Sequence, residues 1–307
     1  MPRCEYVVVD AFADRPFAGN PAGVVLDANP LTDEQMQAIA REIHLSETVF
    51  VLASIRPNAA VRFRTFTPTV EGSVSGHAVL AGVTALIQSG RFVALLDEPG
   101  MRLPIETQEG MLSVRAERIR ADGDEFLVWM NLPSLLLSRY PHDPDKTAGL
   151  LGLDPTTLDD TMPGMKTQDG DVLLFVRSYA ALMEARPDFA ALAEYSRRRK
   201  VRIWCVATRE TLADSVQVHS RCFAPRVGID EDPVTASVHG PLGVYLVVAG
   251  EVGVAGDRAA VNCVQSDSTG RAGLVRVLVG KNEQEGYEAW VGGQCWGTMT
   301  GQIHVPD

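Results

Sequence analysis

The chain has 307 residues, 46% of them hydrophobic and 22% charged. That composition excludes a disordered chain, a collagen and a simple coiled coil, and the length suits two domains or one large one. Lys and Arg number 28 against 39 Asp and Glu, a net charge of -11, so the body repels nucleic acid and anionic lipid, and neither is expected as a partner.

In chain order, Glu5–Ala11 reads as a first strand. Asp14 to Pro21 is rich in Gly, Asn and Pro and reads as punctuation before a short strand, Val24–Leu26. Thr32 followed by Gln35 predicts a capping box, and Met36, Ile39, Ala40 and Ile43 keep helical spacing to about His44. Thr48–Ala53 and Ala60–Phe66 are expected strands, and Gly76 to Gln88 is apolar nearly all round, as in a helix enclosed by protein. Met101–Glu106, Leu112–Ala116 and Phe126–Asn131 follow as strands, with a domain boundary expected near Leu132-Pro133. Next come a helix at Pro144–Leu153, a strand at Asp171–Val176, a helix at Pro187–Arg197, and strands at Ile203–Ala207 and Ser215–Phe223. Thr235–Ala249 is a second helix apolar nearly all round, and Val275–Gly280, Tyr287–Gly292 and Gly297–Ile303 close the chain as strands. The class is α+β; regular βαβ alternation is absent.

Pro241 to Gly256 is too short an apolar stretch to span a bilayer. Arg197 to Lys200 reads as a solvated helix end. Five scattered cysteines, at 4, 205, 222, 263 and 295, fit buried thiols in a reducing compartment. With a start that runs straight into a strand and shows no secretory pattern, they suggest a cytoplasmic protein.

Two segments resemble each other. Phe66-Thr67-Pro68, a loop and Ser75-Gly76-His77-Ala78 open a helix that ends at Ser89-Gly90. Phe223-Ala224-Pro225, a loop and Thr235-Ala236-Ser237-Val238 open another that ends at Ala249-Gly250. Both helix starts and both helix ends lie 160 apart (235 − 75 and 250 − 90), the mark of a duplicated domain. Helix starts bind carboxylates, and two such starts suit a small carboxylic acid; a plain N-cap role for Ser75 and Thr235 is the alternative. Glu47, between Leu45 and Val49-Phe50, reads equally as a carboxyl in apolar surroundings, where the pKa rises toward neutrality and suits proton transfer, and as an exposed turn residue. At a helix start, the dipole favours His77 as neutral imidazole, a proton donor or acceptor, though local signals alone favour a plain structural histidine. Asp232 precedes the second helix, where an acid also serves the dipole, and His239 reads as a core or supporting residue. Dinucleotide, Walker, zinc-protease and Ser-elbow signatures are all missing.

The run Asp14-Arg15-Pro16-Phe17, Gly19-Asn20-Pro21, then Leu45-Ser46-Glu47-Thr48, Phe66-Thr67-Pro68, Gly76-His77-Ala78 and Glu231-Asp232-Pro233-Val234-Thr235-Ala236-Ser237 strongly resembles the phenazine-biosynthesis F-like (PhzF) isomerase family. The resemblance implies a diaminopimelate-epimerase-like fold: two pseudo-symmetric domains, each a curled mixed β-sheet around a central helix, with the active site between them. The expected domains are 1–131 plus 286–307, and 132–285. It implies isomerisation of trans-2,3-dihydro-3-hydroxyanthranilate or a similar acid, in secondary metabolism, without metal or organic cofactor, by a homodimer. Glu47 then matches the general acid/base, His77 and Asp232 the other catalytic positions, and Ser237 a substrate-binding serine. Ser46, Gly76 and Ala236 match positions lining the substrate, and Asn20 joins them from the Gly-Asn-Pro run. Ala236 replaces a usual Gly, Val238 a usual Ala, and Gly72-Ser73 a more apolar pair. Related racemases of this fold use two cysteines at the helix starts; here there are none, which favours a single base. A racemase or dehydratase of amino or hydroxy acids, and a non-catalytic binding protein, are the rival readings.

Overall fold

The computed structural model describes residues 3–72, 75–98, 100–120, 123, 125–266, 270–284 and 286–306. The chain divides into two compact units, Met1–Asn131 with Gly292–Asp307, and Leu132–Val291. Both edges fall inside continuous strands, so no turn marks either, and the chain runs extended through Leu132-Pro133, where a boundary turn was expected.

The first unit runs β1 (Arg3–Ala11), β2 (Asn20–Val25), α1 (Asp33–Ile43), β3 (Thr48–Leu52), β4 (Val61–Phe66), β5 (Glu71–Gly72), α2 (Gly76–Gln88), α3 (Ala94–Asp97), β6 (Leu103–Thr107), β7 (Gly110–Arg118) and β8 (Phe126–Leu135). Its sheet is mixed. β2 and β3 pair in parallel, as do β4 and β6, while β1 with β2, β3 with β4, β6 with β7 and β7 with β8 are antiparallel. The last strand of the chain, β17 (Tyr287–His304), pairs with both β1 and β8 and closes the sheet into a barrel. The helix α2 fills it: every residue from Gly76 to Ile87 is buried, and it packs on β1, β2, β3 and β4. Each of its Leu, Ile and Val side chains contributes up to about 1.5–3 kcal/mol by burial.

The predicted capping box at α1 forms: Thr32 Oγ1 accepts from the Gln35 amide at 3.3 Å, and Gln35 Oε1 accepts from the Thr32 amide at 3.0 Å. The helix ends at His44 in the left-handed region, φ 56°. The chain there turns into Leu45-Ser46-Glu47 and at once into β3, which fixes the place of Glu47.

The second unit continues with β9 (Leu137–Arg139), α4 (Pro144–Leu151), β10 (Met165–Thr167), β11 (Val172–Phe175), α5 (Tyr179–Glu184), α6 (Phe189–Arg199), β12 (Trp204–Thr208), β13 (Val218–Ala224), β14 (Ile229–Asp232), α7 (Ala236–Val248), β15 (Arg258–Gln265) and β16 (Gly273–Lys281). Its sheet is also mixed, with β11 parallel to β12 and β13 parallel to β15. The buried helix α7 packs on β15 and β16. The two central helices have 13 residues each, and both their ends lie 160 apart (236 − 76 and 248 − 88).

Several elements differ from expectation. β2 starts at Asn20-Pro21, inside the segment read as a turn, because Ala11 and Asp10 of β1 pair with them. β5, α3, β9, β10, α5, β14 and β15 were not expected, and the two closing strands are the single β17. The Arg197 to Lys200 run is a helix end, with Arg197 and Arg198 both paired to Glu194. All five cysteines are free thiols, four of them buried.

Candidate active site

In the first unit, His77 collects three neighbours. Ser75 Oγ lies 3.0 Å from Nδ1, Ser46 Oγ lies 3.4 Å from Nε2, and Glu47 Oε2 lies 3.6 Å from Nε2. Burial pushes the imidazole down to a pKa of about 4 by desolvation, so it is neutral at physiological pH. A neutral ring has one N–H. Nε2 faces a carboxylate, an acceptor, so the favoured tautomer carries the proton there and accepts the Ser75 O–H at Nδ1. Ser75 stands at the N-cap position, the alternative role for it, but its side chain makes no cap hydrogen bond to α2. Glu47 and Ser46 are half-buried, and Gly76 is the buried first residue of α2. Asn20 is buried at the head of β2, opposite Ala11. Ser73, of the Gly72-Ser73 pair that departs from the family, lies outside the described residues.

In the second unit, Asp232 ends β14. Thr235 Oγ1 donates to its Oδ2 at 2.5 Å, and again no side-chain cap hydrogen bond is made to the helix, here α7. Gln265, fully buried on β15, accepts from the Thr235 amide at 2.8 Å and donates to the Asp232 carbonyl at 2.6 Å. His239 Nδ1 faces the Thr235 carbonyl at 2.7 Å, so it must donate, and Nε2 accepts from Ser220 at 3.1 Å. His239 is thus a satisfied core residue, held neutral by burial at a pKa of about 4. Ala236 is buried in helical backbone, where its methyl group costs no strain. Val238 is fully buried, and Ser237 is half-buried.

The two units share a device that sequence reasoning missed. On β4, Arg64 donates Nε and Nη2 to Glu71 of β5 at 2.8 and 2.7 Å, with its guanidinium over the Phe66 ring. On β13, Arg221 donates Nε and Nη2 to Glu231 of β14 at 2.7 and 2.9 Å, with its guanidinium over the Phe223 ring. Each clamp pins the hairpin that leads into a central helix. The signal was present: Arg-x-Phe recurs 157 residues apart (221 − 64), followed each time by a Glu. Among the described residues, no three His, Cys, Asp or Glu side chains cluster to hold a metal ion.

The fold is the α+β, diaminopimelate-epimerase-like one; a solved probable proline racemase from Agrobacterium radiobacter shares it at TM-score 0.65 and 14% identity, covering 99% of this chain and 93% of that one. The sequence model for phenazine biosynthesis-like proteins matches residues 9–301. An uncharacterized isomerase of Pseudomonas aeruginosa is 41% identical over 239 residues, 76% of this chain and 78% of that one. A trans-2,3-dihydro-3-hydroxyanthranilate isomerase of Pseudomonas chlororaphis is 34% identical over 249 residues, 80% and 81% of the two chains. A PhzF-family crystal structure from Bacillus anthracis superposes with TM-score 0.88 at 27% identity, covering 99% of this chain and 100% of that one. The chain belongs to the phenazine biosynthesis-like (PhzF) family, and it is an isomerase.

Proposed function

We propose that the protein moves one proton, and with it a double bond, within a small unsaturated amino carboxylic acid of secondary metabolism. Glu47 takes the proton from carbon and returns it at a conjugated position. His77 and Asp232 hold the polar groups and balance charge as it develops, which supplies much of the rate in such reactions. Ser237 and the backbone of Gly76 and Ala236 anchor the carboxylate, with Ser46 and Asn20 lining the substrate. The observation that carries this reading is the Glu47 carboxylate 3.6 Å from a neutral, doubly held His77.

The Pseudomonas chlororaphis relative's name makes dihydro-hydroxyanthranilates the first substrates to try. The helix starts carry Ser75 and Thr235 in place of paired thiols, which supports one base rather than a two-thiol racemase. Free cysteines suit a cytoplasmic setting; no described helix is long and apolar enough to cross a membrane. A homodimer is part of the proposal and is read by sedimentation. The central test is proton NMR in D2O with trans-2,3-dihydro-3-hydroxyanthranilate. Wild type should shift the double bond with deuterium uptake, and Glu47→Gln should lose about 100-fold or more. Full activity in Glu47→Gln removes the mechanism, and exchange confined to an α-carbon moves the assignment to a racemase.

A further inference from the structure

Ser237 is held by a side chain that the assigned chemistry does not use. β11 and β12 run parallel with Val172 opposite Trp204, which brings Asp171 and Arg202 together just ahead of them. Asp171 is fully buried. Arg202 donates Nε to its Oδ1 at 2.8 Å and Nη2 to its Oδ2 at 2.6 Å. The same Nη2 donates to Ser237 Oγ at 3.2 Å. A bidentate pair on a buried carboxylate fixes the guanidinium plane. Its N–H then occupies a lone pair of the serine oxygen, and the hydroxyl hydrogen turns away from it.

We infer that Arg202 is a positioning residue that locks Ser237 as a hydrogen-bond donor, so that the second unit accepts a carboxylate and rejects the matching carboxamide. A carboxylate offers two acceptor oxygens to the Ser237 hydroxyl and to the amides at the start of α7. A carboxamide must turn its NH2 toward one of those donors. A free serine would rotate and accept from that NH2; with one of its two lone pairs held by a guanidinium cation, Ser237 Oγ is a strong donor and a poor second acceptor, and the NH2 is met weakly. This inference rests on the carboxylate-anchoring role given to Ser237 above.

The test is calorimetric binding of 3-hydroxyanthranilate and 3-hydroxyanthranilamide, stable aromatic probes that need no turnover. Wild type should prefer the acid by about 30-fold, the effect of one poorly met buried polar group. Arg202→Lys keeps a charge beside Asp171 but not the planar fork, and the preference should fall below about 5-fold. Ser237→Ala should lose it equally, and Arg202→Lys in that background should change nothing more, a coupling that a merely structural arginine would not show. With a turned-over substrate, Arg202→Lys should raise KM and spare kcat. If Arg202→Lys fails to fold, Arg202→Met with Asp171→Leu removes both charges and gives the same comparison. Retained preference in these variants, or effects that simply add to Ser237→Ala, overturns the inference. So does wild type binding both probes alike or neither. Glu47-dependent deuterium uptake in any of those cases leaves the isomerase reading standing, so the two failures are distinguishable.

Discussion

Arg221→Met is the substitution with the most to lose. The Arg221 and Glu231 side chains are 4% and 9% exposed. Arg221 also donates Nη1 to the carbonyls of Leu182 and Ala185 at 3.1 and 2.9 Å, at the end of α5. Methionine fills much of the volume but strands the Glu231 carboxylate in the interior. Breaking one side of a buried pair costs about 3–5 kcal/mol, and the loss of two further charged hydrogen bonds, to carbonyls that keep only the Ala185 amide and Arg186 Nη1 as donors, pushes the loss toward the top of that range. For a unit of this size each kcal/mol lowers Tm by about 2–4 °C, so the expected fall is about 8–20 °C. The equivalent Arg64→Met is a control with the same chemistry and a wetter site. Arg64 is 12% exposed, and its partners Glu71 and Asp33 are 27% and 72% exposed. Solvent screening and a carboxylate that can rehydrate hold that loss to about 1–2 kcal/mol.

Urea and thermal unfolding of both variants, monitored at several wavelengths because two units need not unfold together, give the comparison. Arg221→Met with Glu231→Leu should recover most of the loss, because the buried charge is then gone from both sides. Equal losses in the two single variants, or an Arg221→Met loss under about 1 kcal/mol, would refute the argument that burial sets the cost. So would a double variant no more stable than the single one.

Three further outcomes follow from the structure. His77 and His239 both stay neutral down to about pH 4 when folded, against 6.5 for the free side chain. Below pH 6.5 the unfolded chain takes up protons that the folded one refuses, so stability is whole above that pH and falls toward pH 4, by about 3 kcal/mol for each histidine. Urea midpoints at pH 7, 5.5 and 4 should fall in that order, and His239→Gln should flatten the slope; a flat wild-type profile refutes the assignment. Ser75→Ala removes the partner of Nδ1 and should lower kcat by about 10-fold with little change in KM, because the ring loses its preferred tautomer; Ser75→Thr should restore it. A methyl on Gly82 would meet the Phe63 ring at 2.7 Å, whereas one on Gly149 of α4 meets nothing within 4 Å. Gly82→Ala should therefore cost about 1–3 kcal/mol and Gly149→Ala should gain up to about 1, by denaturant midpoint.

The central helices and α1 were legible because their signals are local: an apolar surface all round, or a Thr and a Gln at cap spacing. What the sequence hid depends on partners far along the chain. β14 is Ile229-Asp230-Glu231-Asp232, a composition that disfavours strands; Arg221 on β13 holds it in one. β15 alternates, with Ala259, Val261, Cys263 and Gln265 buried, but Ala, Asn and Gln blur a period that Val and Ile would have made plain. In β17 glycines passed for a break. A Cβ on Gly292 would lie 2.5 Å from the Trp129 ring, so that glycine is there for close packing and the strand runs through. The roles proposed for Glu47 and Asp232 rest on resemblance, since an acid after a helix and an acid before one are ordinary by themselves.

The N-caps set two helices apart from the rest. Thr32, Asp143, Ser178 and Asp188 all accept from the first turn of the helices α1, α4, α5 and α6. Ser75 and Thr235 stand at the same position with the same extended backbone, φ -114° in both, and neither caps. Each forgone cap costs about 1 kcal/mol. Helix stability therefore does not explain the orientation of these two hydroxyls; contact with His77 in one unit and Asp232 in the other does. Local rules are broken at functional positions more often than elsewhere. That the same rule is broken at both duplicated helices, each time toward a proposed catalytic side chain, argues that the hydroxyls belong to the chemistry.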